Sequence, residues 1–232
     1  MNLNKFIIFI PAVLFTLSSC NQPVAVKKPQ TYLDTVSYSI GILYGDKLHS
    51  DGLDSVNTNL LKKGMDDAIN EKPSIDKDKA KQIVMEYYSI LSQRQLLTKY
   101  GDNKIAGEKF LSENAKRKGV KVLPSGLQYE VLKSGSGLQP DSNDVVIVHY
   151  RGELIDGTVF EENFGKKPVP LAVNRVIPGW TEALLRMHVG DTWKIYIPYQ
   201  LGYGTSFNPN SPIQPYSTLI FEIELVDIKK EP

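Results

Sequence analysis

The chain has 232 residues, 41% of them apolar and 23% charged, with 27 Lys and Arg against 26 Asp and Glu for a net charge of +1. That composition excludes a disordered, collagenous or polytopic membrane protein. Charge is also balanced locally, 14 basic to 13 acidic residues over 31–118 and 10 to 12 over 119–230, which excludes the basic field that nucleic-acid binding needs. The single cysteine, Cys20, excludes an internal disulfide framework, and His49, His149 and His188 have no metal-ligand spacing, so neither a metal nor a cofactor is expected.

The chain opens as a targeting segment. Lys5 precedes two apolar runs, Phe6–Ile10 and Ala12–Leu17, a length that suits a signal peptide and is short for a membrane-spanning helix. The segment ends Leu17-Ser18-Ser19-Cys20, which resembles a bacterial lipobox. Residues 1–19 are therefore read as a lipoprotein signal peptide, Cys20 as the lipidated residue, and 20–31, with Pro23 and Pro29, as a tether. The expected location is the cell envelope, lipid-anchored, facing the periplasm or exposed at the surface.

From residue 32 to 118 the hydrophobic period is helical. Leu33, Val36, Ile40, Leu43 and Leu48 mark one stripe, and Leu60, Leu61, Met65 and Ile69 a second, opened by Asn57 or Thr58 as N-cap. Two such short helices cannot enclose this many apolar side chains by themselves, so a homodimer is expected, the alternative being a monomer in which the third helix folds back. That third helix is predicted from about Asp76 to Lys118, with a weak point at Gly101-Asp102-Asn103 where a kink would fall.

From residue 119 to 230 the period becomes two. Val146, Val148 and Tyr150 alternate with Ile147 and His149, Trp193, Ile195 and Ile197 with Lys194 and Tyr196, and Leu219, Phe221, Ile223 and Leu225 with Glu222 and Glu224. These are half-buried antiparallel strands. One short helix is predicted near Pro178–Met187, with Pro178 at its first position. The fold class is α+β, an antiparallel sheet wrapped around one short helix, preceded by an all-α region with a long connecting helix.

No nucleophile motif or phosphate loop is present, and the adjacent Glu161 and Glu162 would point to opposite faces of a strand. What stands out is aromatic residues beside Gly and Pro. Val148-His149-Tyr150-x-Gly152, Asp156-Gly157-Thr158-x-Phe160, Val176-Ile177-Pro178-Gly179-Trp180 and Gly202-Tyr203-Gly204 resemble, in order and spacing, the FKBP-type peptidyl-prolyl isomerase family. The stretches Leu123–Tyr129 and Val176–Leu184, with Gly107–Asn114 in the helical half, are similar to the macrophage infectivity potentiator subfamily of bacterial envelope isomerases.

The resemblance implies five or six antiparallel strands around a short helix, with a cleft between helix and sheet. Carried over residue by residue, it implies catalytic roles for Tyr150, Phe160, Glu161, Trp180, Tyr203 and Phe221, with Trp180 as the cleft floor. Val176, Ile177 and Ile213 would bind substrate, the Ile177 N–H and the Tyr203 hydroxyl contacting flanking carbonyls. Glu161 stands where the family usually has Asp, whose contact is directed to the tyrosine equivalent to Tyr150. Being one methylene longer, Glu161 must fold back to make that contact, or else it points to solvent.

The implied substrates are proline-containing unfolded or folding proteins of the envelope, and the implied inhibitors are macrolides such as FK506 or rapamycin. The subfamily also implies intertwined subunits in the helical half. A second reading keeps the cleft but not the catalysis: a membrane-anchored dimeric chaperone or adhesin.

Overall fold

The computed structural model of the chain describes residues 28–53 and 55–229; the signal peptide, Cys20 and most of the tether lie outside them. Contacts divide the chain into two units that meet between Glu71 and Lys72. No helix among the described residues is long and apolar enough to cross a membrane.

The first unit holds two helices. Thr31 opens α1 (Tyr32–Ser50): its hydroxyl accepts the Asp34 N–H at 3.1 Å while the Asp34 carboxylate accepts the Thr31 N–H at 2.9 Å, a reciprocal capping box. Asn57 opens α2 (Thr58–Ile69), accepting the N–H groups of Asn59 and Leu60. Neither helix buries a residue. Leu33, Leu43, Leu60 and Ile69 remain 65–80% exposed, and an apolar groove of about 450 Å³ runs past Gly41, Gly45, Leu48, Leu61 and Met65.

The second unit begins with α3 (Lys77–Asn114), capped by Asp76. Its 38 residues span about 57 Å and continue through Gly101-Asp102-Asn103 as unbroken helix. A sheet of seven antiparallel segments follows: β1 (Lys121–Val122), β2 (Gln128–Lys133), β3 (Val145–Leu154), β4 (Val159–Glu162), β5 (Val169–Ala172), β6 (Thr192–Ile197) and β7 (Leu219–Lys229). The order is β1-β2-β6-β7-β3-β4. The count exceeds the expected five or six because one edge is broken: β5 pairs with Val145–Val148 of β3 and β4 with Arg151–Glu153 of the same strand.

Helix α4 (Pro178–Leu184) lies on the concave face with Gly179, Trp180, Ala183 and Leu184 buried. The alternation read from sequence is present: Val146, Val148, Ile195, Ile197, Leu219, Ile223 and Leu225 have no exposed surface. The opposite face is not left to solvent. Gln128, Tyr196 and Ile220 stand directly across from one another on β2, β6 and β7, and all three are buried. The end of α3 and the residues just after it meet Gln128 and Tyr196 of this row. The Asn114 amide donates to Gln128 Oε1 at 2.9 Å, Gln128 Nε2 donates to the Leu111 carbonyl at 2.9 Å, and Arg117 donates to the Tyr196 hydroxyl at 2.9 Å. Phe110 and Tyr196 stack at a tilt, 6.0 Å between centroids.

Buried polar groups that lose one partner bear the desolvation cost alone. Asn114→Leu is therefore expected to destabilise the chain by about 1–3 kcal/mol in urea unfolding, and adding Gln128→Leu to recover part of the loss. An Asn114→Leu chain as stable as the native one would show that the pair contributes nothing.

Candidate functional site

The cleft is assembled from short stretches of chain that lie far apart in sequence. Strand β3 supplies Tyr150 and Gly152, and β7 supplies Phe221, which lies directly across from Gly152. The missing Cβ matters there, because a methyl group at Gly152 would run into the rings of both Phe160 and Phe221. Strand β4 supplies Phe160 and Glu161. Its register against β3 slips between Gly152 and Glu153, Gly152 pairing with Glu161 and Glu153 with Val159, so Phe160 is the extra residue of a bulge. That slip lets two consecutive residues serve one face: Phe160 packs edge-on against Phe221 while Glu161 reaches Tyr150. Glu162 turns the other way, 3.5 Å from Arg151.

A short 3-10 turn, Val173–Arg175, leads through Val176 and Ile177 into α4. The Ile177 carbonyl accepts the first helical N–H groups, from Trp180 and Thr181 at 2.9 and 3.1 Å. Its own N–H has no acceptor among the described residues. One turn on, Trp180 is 3% exposed. Tyr150 and Phe221 both meet it edge-on, each 5.2 Å between centroids and at 90° and 86°, the geometry favoured by opposed ring quadrupoles.

Together Tyr150, Glu161, Val176, Ile177, Trp180, Tyr203 and Phe221 line a cleft of about 310 Å³. Phe160 and Ile213 line a neighbouring pocket of about 400 Å³, which shares Glu161 and Tyr203 with the first. Every site residue expected from sequence except Cys20, which lies outside the described residues, thus falls in one of two adjoining hollows.

One charged hydrogen bond lies in the wall of the cleft. The Tyr150 hydroxyl donates to Glu161 Oε1 at 2.6 Å, so the longer side chain folds back rather than pointing to solvent. Burial, and then this hydrogen bond, push the Tyr150 phenol well above its ordinary value, and burial followed by the Glu161 charge pushes Tyr203 the same way. Asn163, itself buried, accepts the Tyr150 N–H at 2.7 Å and donates to the Val148 carbonyl at 3.2 Å, which fixes the backbone that carries Tyr150.

Two family models match the chain: FKBP-type peptidyl-prolyl cis-trans isomerase over residues 137–226, and the domain amino-terminal to FKBP-type peptidyl-prolyl isomerase over 33–131. The outer membrane protein MIP of Legionella longbeachae is 41% identical over 203 residues, 85% of this chain and 86% of that protein. The chain belongs to the FKBP-type peptidyl-prolyl cis-trans isomerases. The FKBP-type 22 kDa peptidyl-prolyl cis-trans isomerase of Escherichia coli K12 is 40% identical over 83% of this chain and 93% of its own. The crystal structure of FkpA from Escherichia coli covers 88% of this chain and all of its own at 30% identity, with a TM-score of 0.56.

Sequence reasoning missed several residues that line these hollows, four of them apolar or charged. Leu171 and Arg175 line the cleft, and Phe207 and Pro212 the second pocket. Leu171 sits opposite Val146 on the broken edge strand, a placement that its spacing from the motifs does not reveal. The other three lie beside matched motifs, yet only the course of the loops brings them to the hollows.

The raised phenol values fix a sign. A neutral hydroxyl is the donor, so the Tyr150–Glu161 bond is fully present below the ordinary phenol value of 10.0 and is lost as pH climbs through the higher folded one. In an alkaline absorbance titration, Tyr150→Phe is expected to remove one late-ionising phenol. A variant whose late phase matches the native protein's would count against the bond.

Proposed function

We propose that the cleft isomerises X–Pro bonds in proteins folding in the bacterial cell envelope, using the residues assembled around Trp180. The observation that carries this reading is the buried indole with Tyr150 and Phe221 edge-on to it, beside an Ile177 N–H that has no acceptor among the described residues.

The reaction makes and breaks no covalent bond. Amide resonance sets a barrier of about 18–20 kcal/mol, and the twisted transition state has lost that resonance, so its carbonyl is less polar than in either planar isomer. An apolar hollow that strips water from the amide therefore favours the twisted state over the planar ones. Trp180, Tyr150, Phe221 and Phe160 hold the prolyl ring and exclude water. The Ile177 N–H and the Tyr203 hydroxyl bind carbonyls of the flanking peptide, with Val176 and Ile213 as apolar walls. Glu161 holds Tyr150 in position at the wall. The same hollow, with a carbonyl-binding N–H at its edge, suits macrolides such as FK506 or rapamycin.

Membership of the family favours catalysis over a cleft that only binds, and one set of measurements tests both. With a proline tetrapeptide, the native chain is expected to accelerate isomerisation and FK506 to abolish the effect. Glu161→Ala is expected to lower kcat/KM by roughly ten-fold, about 1.4 kcal/mol of lost differential binding, and Glu161→Asp to match or exceed the native rate. A native rate at background would overturn the isomerase reading for this chain. Glu161→Ala within two-fold of native would remove Glu161 alone from the site.

Cys20 is proposed as a lipid attachment point, and the first unit as the contact between two copies. The support for the second is physical: α1 and α2 leave Leu33, Leu43, Leu60 and Ile69 largely exposed, an arrangement that a second copy would cover. The relative from Legionella longbeachae is called an outer membrane protein, which suits an envelope location. A chain starting at Asn21 is expected to sediment as a dimer at tens of micromolar, and full-length Cys20→Ser to leave the membrane fraction. A monomer in the first experiment, or retention on membranes in the second, would refute the corresponding assignment.

A further inference from the structure

The second pocket has walls on the loop 203–216, and this loop is held from outside the sheet. At its base the Tyr216 N–H donates to the Gly204 carbonyl at 2.9 Å, and the Gly204 N–H to the Tyr199 carbonyl at 2.9 Å. Tyr216 is buried, its ring edge-on to Tyr199 at 5.2 Å, and its backbone lies in the left-handed region at φ 64°. A bulky residue persists there only where its surroundings fix it.

Helix α3 provides that fixing. Asn103 Nδ2 donates to the Pro215 carbonyl at 3.1 Å, so it holds the peptide unit that enters Tyr216. One turn further along, Gly107 lies against Thr218, where any Cβ would collide with the threonine hydroxyl. One turn earlier, Tyr100 packs on Phe207 of the same loop at 5.8 Å, and the Lys99 ammonium lies 5.1 Å from the Tyr100 ring and 5.7 Å from that of Phe207. Positions 100, 103 and 107 form a single stripe on a helix. A single face of α3 therefore meets the loop at Phe207, its base at Pro215, and the segment leading into β7.

We propose that α3 positions the client-binding loop, with Asn103 and Tyr100 as positioning residues that set Phe207 and Ile213 against the cleft. On this account the long helix is a working part of the substrate groove as well as a connector. Peptides that fill only the Trp180 cleft do not depend on it, whereas peptides that extend into the second pocket do. The kinetic part rests on the isomerase reading; the exchange part below does not.

The test uses the full mature chain with Asn103→Asp, which keeps the shape but replaces the donor with an acceptor facing the Pro215 carbonyl. Tyr100→Ala serves as a second variant acting at Phe207. The expected result is a KM raised roughly three- to ten-fold, the scale of one net hydrogen bond, for a longer peptide with leucine on both sides of proline. Turnover of a proline tetrapeptide should stay within two-fold. Amide hydrogen exchange should rise in residues 205–214 and not in β6. Unchanged exchange in the loop of both variants overturns the proposal even if the chain proves inactive. Equal losses on both peptides with faster exchange throughout the sheet also overturn it, by showing a purely structural role.

Discussion

The catalytic unit depends on the burial of one side chain, Trp180, near the start of a seven-residue helix. A helix that short has no independent stability. It holds because Trp180, Ala183 and Leu184 are buried together with the inward residues of β6 and β7. The same burial sets an indole face at the bottom of a hollow, and Tyr150 and Phe221 stand edge-on around it because the strands that carry them are registered to α4. Core packing and the lining of the cleft are here the same contacts. For that reason a lost rate in a Trp180 variant would not by itself separate chemistry from folding, since truncating a buried Trp costs about 3–5 kcal/mol.

Around this floor the walls are adjusted by small irregularities. The register slip in β4 aims Phe160 and Glu161 at one side, which a regular strand would forbid. The longer carboxylate at position 161 still reaches Tyr150, at 2.6 Å, since Tyr150 and Gly152 share a strand face and Glu161 pairs with Gly152. The resulting bond orients the phenol and ties the Glu161 carboxylate to the wall of the cleft.

The sheet is also covered on its outer side, and this changes what the long helix is. In its second half Phe110, the Leu111 carbonyl and Asn114, with Arg117 just past its end, meet Gln128 and Tyr196, while in its first half Ile83, Val84, Met85 and Tyr87 are exposed. The helix is therefore amphipathic in two different senses along its length, which accounts for the weak pattern near its middle. What reads in sequence as a flaw at Gly101-Asp102-Asn103 is where α3 begins to meet the loop that ends at Tyr216.

The sequence alone determined the period change between the helical and sheet regions, the start of α2 to within the pair Asn57 and Thr58, the start of α3 near Asp76, the Pro178 start of α4, and the family. These are local properties: hydrophobic periodicity, capping side chains and motif spacing all act within a few residues. It also determined the set of aromatic residues around the cleft, because the motifs carry them in fixed order. Only the tertiary structure decided that these residues divide between two adjoining hollows, that Leu171 and Arg175 join the first, that Glu161 folds back to Tyr150, and that α3 meets Gln128 and Tyr196 on the outer face of the sheet. Each of those depends on a register slip, a broken edge strand or a contact between residues far apart in sequence, such as Phe110 with Tyr196. A period of two or 3.6 states which face of an element is apolar, but not which distant surface will cover it.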